Sequence, residues 1–177
     1  SLPDGLIVYD GKLYFEANSG DGEGRELHRY DPGDANNDGS VFERVTSIRS
    51  GGDAQIGNLV VYAGDLYFTA DDGVHDYIYR YDDSALTKLE NIVDGTTPYY
   101  PGGLEVYDNQ LYFGADDGTH GDELWRYNGS SAELVWDIND GGDSSYPYDL
   151  TAIGTRLYFS ADDGSTGDEL FYYQSPR

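Results

Sequence analysis

The sequence predicts an all-β chain of four repeats folded as propeller-like blades, and three observations predict it. The word LYF occurs at Leu13–Phe15, Leu66–Phe68, Leu111–Phe113 and Leu157–Phe159, at spacings of 53, 45 and 46 residues. Repeats of roughly 40 to 50 residues made of short strands mark propeller blades and other stacked β arrays. Each LYF follows an apolar run and a two-residue turn, as in "IVYDGKLYF" and "EVYDNQLYF", which is hairpin chemistry. In "NLVVYAGDLYFTA" apolar residues occupy both parities, so both faces of that hairpin are expected to be covered. A two-layer sandwich leaves one face of each sheet in water and alternates more cleanly. A β-sandwich or an open β stack is the competing architecture.

Within each repeat, strands A and B form the hairpin around the turn. Asp10-Gly11 and Asp108-Asn109 are residue types that tolerate the positive φ a tight hairpin demands. An acidic loop follows, then strand C as "ELHRYD", "YIYRYD", "ELWRY" and "ELFYY". Strand D follows as "VFERVTSI", "LTKLENIV" and "AELVWDI", and the last repeat has none before Arg177. The total is fifteen strands and no helix, with four-stranded, kelch-like blades and a three-stranded last blade. Residues 1–177 are read as one repeat-built domain. The long first interval carries an insertion, "DPGDANNDGS", from Asp31 to Ser40. Because successive strands are antiparallel, the B-to-C and D-to-A connections share one side of the blades. The acidic loops and the tyrosine-rich "DGTTPYYPGG" and "DINDGGDSSYPYD" are therefore expected to lie together.

Asp and Glu number 34 against 10 Lys plus Arg, a formal charge of −24 over 177 residues. A field of that sign repels nucleic acid and anionic membranes and favours cations. Eighteen tyrosines among 15% aromatic residues supply packing groups that a disordered acidic tail lacks. With no Cys and no Met, thiol chemistry and disulfides are excluded. No run of eighteen apolar residues and no charged-then-apolar leader at Ser1 is present, so neither membrane insertion nor its own export signal is expected, and the chain reads as part of a longer one.

The word ADDG stands at Ala70–Gly73, Ala115–Gly118 and Ala161–Gly164. The last two copies continue into GDEL, which adds acids to give Asp116, Asp117, Asp122 and Glu123, then Asp162, Asp163, Asp168 and Glu169. Carboxylates this close repel by kcal/mol at intermediate dielectric, and a divalent ion removes that cost. Hard oxygen ligands without His or Cys, on a pliable loop, favour Ca²⁺ over zinc, copper or magnesium. The plainer reading is Asp-Gly turn chemistry with solvated acids. Asp71 and Asp72 keep the pair in the second repeat but lack the GDEL acids apart from Asp76, and the first repeat has Asn18 and Ser19 instead. A second candidate is "DANNDGS", where Asp34, Asn36 and Asp38 alternate before Gly39 as at the start of a calcium loop. Position twelve is Val45, so the full pattern is not met, and Glu43 is the nearest acid.

Catalytic chemistry is thin. His28, His75 and His120 are scattered without a nucleophile, and no Gly-rich word has the Lys-Ser/Thr of a phosphate loop. A glycosidase needs one carboxyl held protonated in an apolar pocket, which loops this polar do not suggest. No enzyme is expected. Trp125 and Trp136 read as packing residues.

The stretch "DELWRYNGSSAELVWDINDGGDSSYPYDLTAIGTRLYFSADDGSTGDELFYY" resembles the ELWxxDGT repeat of large bacterial surface proteins. Asn128-Gly129-Ser130 stands in place of its DGT and Phe171 in place of its Trp. A unit of four such repeats is similar to the calcium-dependent peptide-binding domain of giant RTX adhesins of marine and pathogenic Gram-negative bacteria. That resemblance implies a secreted, cell-surface module within a larger adhesin, binding C-terminal peptides of cell-surface proteins. A chain at −24 repels a free carboxylate unless Ca²⁺ or a nest of N–H groups inverts the field locally. The expected ligand contacts are therefore the loops of repeats three and four, with Tyr99, Tyr100, Tyr146 and Tyr148 as rigid contact area. A calcium-dependent lectin stacking sugars on the same tyrosines, and a structural adhesin spacer, stay open beside it.

Overall fold

The computed structural model describes residues 2–33, 42–90 and 99–176, with main chain alone at 99 and 100. The "DANNDGS" loop with Asp34, Asn36 and Asp38 lies outside the described residues, as do the side chains of Tyr99 and Tyr100.

Fifteen strands form four antiparallel sheets, and no described residue is helical. The first sheet is β1 (Asp4–Tyr9), β2 (Lys12–Asn18), β3 (Arg25–Tyr30) and β4 (Glu43–Arg44), in that order. The second is β5 (Gly57–Tyr62), β6 (Asp65–Asp71), β7 (Asp76–Tyr81) and β8 (Leu86–Lys88). The third is β9 (Tyr99–Tyr107), β10 (Gln110–Asp116), β11 (Asp122–Tyr127) and β12 (Ala132–Trp136). The last has three strands, β13 (Tyr148–Ile153), β14 (Arg156–Asp162) and β15 (Asp168–Tyr173). Each strand pairs with its neighbour in sequence, which is the blade pattern the repeats predict.

The hairpins follow from backbone preference. Asp10 and Gly11 take φ of 46° and 73°, and Asp108 and Asn109 take 49° and 57°. Residues that visit the left-handed region cheaply let the turn match the right-handed strand twist. The turns also set register, so LYF enters the sheets in phase: Tyr14 faces Ile7 and Arg29, and Tyr112 faces Glu105 and Arg126.

The chain falls into two compact units, Ser1–Lys88 and Leu89–Arg177, each holding two sheets. In the first, Tyr14 and Leu27 pack with Ala54, Ile56, Leu66, Phe68 and Ala70 of the next repeat. In the second, Tyr112 and Leu124 pack with Leu157, Phe159 and Ala161. One rule runs through both: the tyrosine of one LYF and the Leu of its strand C meet the L-x-F-x-A face of the following repeat. In β2, β6 and β10 residues of both parities are buried, as predicted for strands covered on two sides. Strand β14 alternates buried with partly exposed, so among the described residues it is one face of the fourth sheet that is packed.

Candidate functional site

The expected meeting of an acidic loop with a D-to-A connection is seen for "DINDGGDSSYPYD", and the counterpart around Ala54 behaves alike, while "DGTTPYYPGG" lies largely outside the described residues. In the second unit, the connection from β12 to β13 passes beside both acidic loops. Its Ser145 N–H donates to Asp122 O at 2.9 Å, and Asp162 N–H donates to Ser145 O at 2.9 Å. Gly121 explains the approach: a Cβ there would lie 2.6 Å from Asp143 O. The first unit repeats the pattern, with Asp71 N–H on Ala54 O and Ala54 N–H on Arg25 O, and Gly24 crossed by Gly52.

Glu123 fastens this connection. Fully buried, its carboxylate accepts hydrogen bonds from Ile138 N at 2.7 Å, Asn139 N at 3.2 Å, and Ser145 N and Oγ at 3.1 and 2.7 Å. Burial raises its pKa, opposed by these donors. Glu26 does the same work in the first sheet, accepting from Thr46 Oγ1 at 2.7 Å and Arg49 N at 2.9 Å. The glutamate of G-x-E-L is thus a structural latch in both units.

The ADDG aspartates split their oxygens. Asp116 and Asp162 each accept the N–H two residues on, from Gly118 at 2.6 Å and Gly164 at 2.8 Å. Asp117 accepts from Thr119 N, His120 N and His120 Nδ1. Burial pushes Asp117 up, but the His120 and Thr119 donors outweigh it and its pKa falls, while the same contact raises His120. Asp163 accepts from Ser165 N and Oγ. Turn chemistry therefore accounts for one oxygen of each first aspartate.

It does not account for Asp122. Asp116 and Asp122 are cross-strand partners, so their side chains share one sheet face while Glu123 projects to the other. The Oδ1 of Asp122 is shielded from solvent and finds no hydrogen-bond partner among the described residues. Burial, then Asp116 and Glu123, push its pKa up to about 7. A Cβ on Gly114 would meet both this oxygen, at 3.1 Å, and Pro147 O, at 2.9 Å, so two oxygens line the space that glycine leaves open. Asp162 and Asp168 form the matching pair in the fourth sheet. There Asp168 Oδ2 accepts a long bond from Tyr148 OH at 3.4 Å, and Glu169 Oε2 has no partner among the described residues.

The first unit meets the same problem with tethered cations. Glu16 and Arg25 stand where the third sheet has Gly114 and Asp122, and they form an ion pair at 2.6 Å. Asp71 is held by Arg49 and by Gln55 Nε2, and Asp72 by Lys88 Nζ at 3.3 Å. Asp76 has no such partner, and burial followed by Asp71 raises its pKa. Residues 1–88 carry seven basic side chains against 17 acids, and residues 89–177 carry three, Arg126, Arg156 and Arg177, against 17. Among the described residues, the solvent-shielded carboxylate oxygens without partners belong to Asp122, Asp137 and Glu169, all in the second unit. Asp137 and the arginine tethers were not legible as site residues in the sequence.

Of the tyrosines expected to contact a ligand, Tyr146 is 63% and Tyr148 43% exposed. Tyr146 takes φ of 48°, and Gln55, its counterpart in the first unit, takes 49°. The left-handed kink is thus a property of the connection, and only its side chain differs. His28 is buried and stacked on Phe15, Trp125 is core, and Trp136 packs edge-on to Phe171.

No family model and no curated protein matches the chain. Solved structures do share its architecture. The β-propeller domain of the Trilobed protease from Pyrococcus furiosus aligns over 96% of this chain and 51% of that one, at 12% identity and a TM-score of 0.59. The acylaminoacyl peptidase of Pyrococcus horikoshii aligns over 98% and 27%, at 12% identity and a TM-score of 0.60. The chain spans about half the length of the first and about a quarter of the second. At that identity the likeness is one of fold, and it places the four sheets among β-propeller blades.

Proposed function

We propose that the protein is a non-enzymatic, calcium-dependent adhesin module that binds the C-terminal peptide of a cell-surface protein at the loops of its second unit. The observation that carries this reading is the Asp122 carboxylate, opposite Asp116 and beside the Pro147 carbonyl, with a shielded oxygen lacking a partner in the basic-poor half. Carboxylate and carbonyl oxygens are the donor type Ca²⁺ takes, a hard ion with a pliable oxygen shell. Asp116, Asp122 and the Pro147 carbonyl would hold one ion, and Asp162 with Asp168 would hold another. Bound there, calcium would supply positive charge to a ligand carboxylate in a field that otherwise repels it. Tyr146 and Tyr148, exposed at the same connection, offer contact area beside it, and Tyr99 and Tyr100 belong to the reading by sequence.

The test is calorimetric titration with a peptide library, each member made with a free and an amidated C-terminus, in calcium and in chelator. Binding confined to free carboxylates in calcium supports the proposal. Equal binding of amidated peptides, or undiminished binding in chelator, rejects it. The exposed tyrosines also favour a second reading, a calcium-dependent lectin, for which a glycan array replaces the peptides.

A further inference from the structure

A pocket of ≈ 470 Å³ opens in the first unit, where the β1–β2 and β5–β6 turns meet the start of the β7–β8 turn. Its most buried lining residue is Tyr9, 7% exposed, with its ring set against Tyr14 at 5.5 Å between centroids. Asp10, Asp65, Asp82 and Asp83 line it too, with Val61 as an apolar wall. The Tyr9 hydroxyl finds no hydrogen-bond partner among the described residues and keeps contact with the solvent of the pocket.

The second unit shows the same position satisfied from within. Tyr107 stands where Tyr9 does, and its hydroxyl donates to Thr155 O at 2.6 Å and accepts from Ser175 N at 3.3 Å. The matching residues of the first unit are Gly64 and Asp83, and Tyr9 receives neither bond. Asp83 instead takes a φ of 69°, and its carboxylate accepts from Lys12 Nζ at 2.7 Å, Tyr14 OH at 2.8 Å and Arg29 Nη1 at 3.1 Å. Asp65 gives Oδ2 to Arg80, and Asp82 gives Oδ1 to Ser84 and Ala85, so Asp65 Oδ1 and Asp82 Oδ2 face no described donor. Burial, then Asp65, Asp83, Asp10 and Asp82, raise the Tyr9 pKa, so the phenol keeps its proton and can both donate and accept.

We propose that this pocket binds a primary ammonium group on an alkyl stem, carried by a lysine side chain of a partner or by a free alkylamine. The three N–H donors of an ammonium match the three open acceptors, Asp65 Oδ1, Asp82 Oδ2 and the Tyr9 oxygen. Val61, 38% exposed, and the Tyr9 ring offer apolar surface to the stem. The sign of the charge agrees, because Asp10, Asp65, Asp82, Asp83 and Glu43 outnumber their partners Lys12, Arg29 and Arg80. A calcium ion takes six to eight oxygens, and here both Asp83 oxygens and one each of Asp65 and Asp82 are already engaged. The pocket lies at the hairpin-turn end of the strands, whereas the acidic loops lie at their other end. It requires neither calcium nor a free carboxylate, so it stands apart from the function proposed above.

The probes are Nα-acetyl-lysine-methylamide for the lysine side chain and n-butylamine for the free amine. Each is titrated to millimolar into the whole protein, at physiological ionic strength with calcium present, and followed by NMR of the backbone amides. Saturable shifts at 9–11, 64–65 and 82–83, with none around Tyr107, are expected. Tighter binding of the lysine probe assigns the pocket to a partner's lysine, and tighter binding of butylamine assigns it to a free amine. Tyr9→Phe removes a hydroxyl that no described residue bonds, and Asp82→Asn keeps Oδ1 for the turn, so both variants fold. Each should weaken binding roughly tenfold, as expected for a hydrogen bond to a charged group. Absence of saturable binding, equal affinity for the Nε-acetylated lysine probe, displacement by added calcium, shifts shared equally with the second unit, or unchanged affinity in both variants each overturn the proposal.

Discussion

Asp116 and Asp122 face each other across the β10–β11 ladder at the point where, in the first sheet, Asn18 faces Arg25. One chain therefore answers the same electrostatic question in two ways. A guanidinium carried on the backbone is always present, whereas a pair of carboxylates depends on what the solvent provides, whether a proton or a metal ion.

The proton makes a prediction with a definite sign. Asp122 titrates near pH 7 in the folded protein and near the ordinary aspartate value of about 3.9 when unfolded. Between those values the native state binds the extra proton, so metal-free stability falls as pH rises from 4 to 7. Asp122→Asn should flatten that slope and raise metal-free stability at pH 8 by about 1–3 kcal/mol. Denaturant melts from pH 4 to 8 measure it, and an unchanged slope places the titrating group elsewhere.

Calcium should replace the proton. Adding it to the wild type at pH 8 raises the thermal midpoint by mass action, and the gain shrinks below pH 7. Upon chelation, amides of 116–123, 137–147 and 162–169 should lose exchange protection while 71–75, held by Arg49 and Lys88, keep theirs. Uniform loss across both units contradicts the division.

Removing a tether tests the other answer. Arg49→Gln leaves Asp71 with Gln55 and the Gly73 N–H, and the partly exposed ion pair limits the cost to about 1 kcal/mol. The loss should be greater at pH 8 than at pH 3, where the carboxyl is protonated. Chemical denaturation at the two pH values decides it.

The latch is expected to be costlier. Glu123→Ala strands the N–H groups of Ile138, Asn139 and Ser145 in a buried setting and should destabilise by about 3 kcal/mol or more, with Glu123→Gln recovering part of it. Parity between the two variants would show that neither the bulk nor the single acceptor oxygen of glutamine can stand in for the carboxylate.

The fold was legible because its signals are local. LYF, the Asp-Gly turns and the strands apolar at both parities report turn preference and burial, which each residue carries with it. The shared location of the acidic loops and the β12–β13 connection followed from antiparallel counting. Glu123 was grouped with the metal acids because spacing along a chain does not say that neighbours in a strand project oppositely. Arg25 and Arg49 were invisible for a related reason: their partners Glu16 and Asp71 lie 9 and 22 residues away, a matter of register and packing.

Gly121→Ala should cost at least about 2 kcal/mol, since a methyl would overlap the Asp143 carbonyl and φ is 73°. Gly167→Ala, with φ of 91° and open space, should cost about 1 kcal/mol. Thermal melts of the pair separate steric overlap from backbone strain.

Gly24 and Gly121 also govern where this architecture can change its length. Where two main chains touch, an added residue has nowhere to bulge, so insertions and deletions are steered to the turn between strands C and D. That turn spans four residues between β7 and β8 and between β11 and β12, but twelve between β3 and β4. It is the natural splice point for lengthened segments, whether acquired by drift or grafted by design.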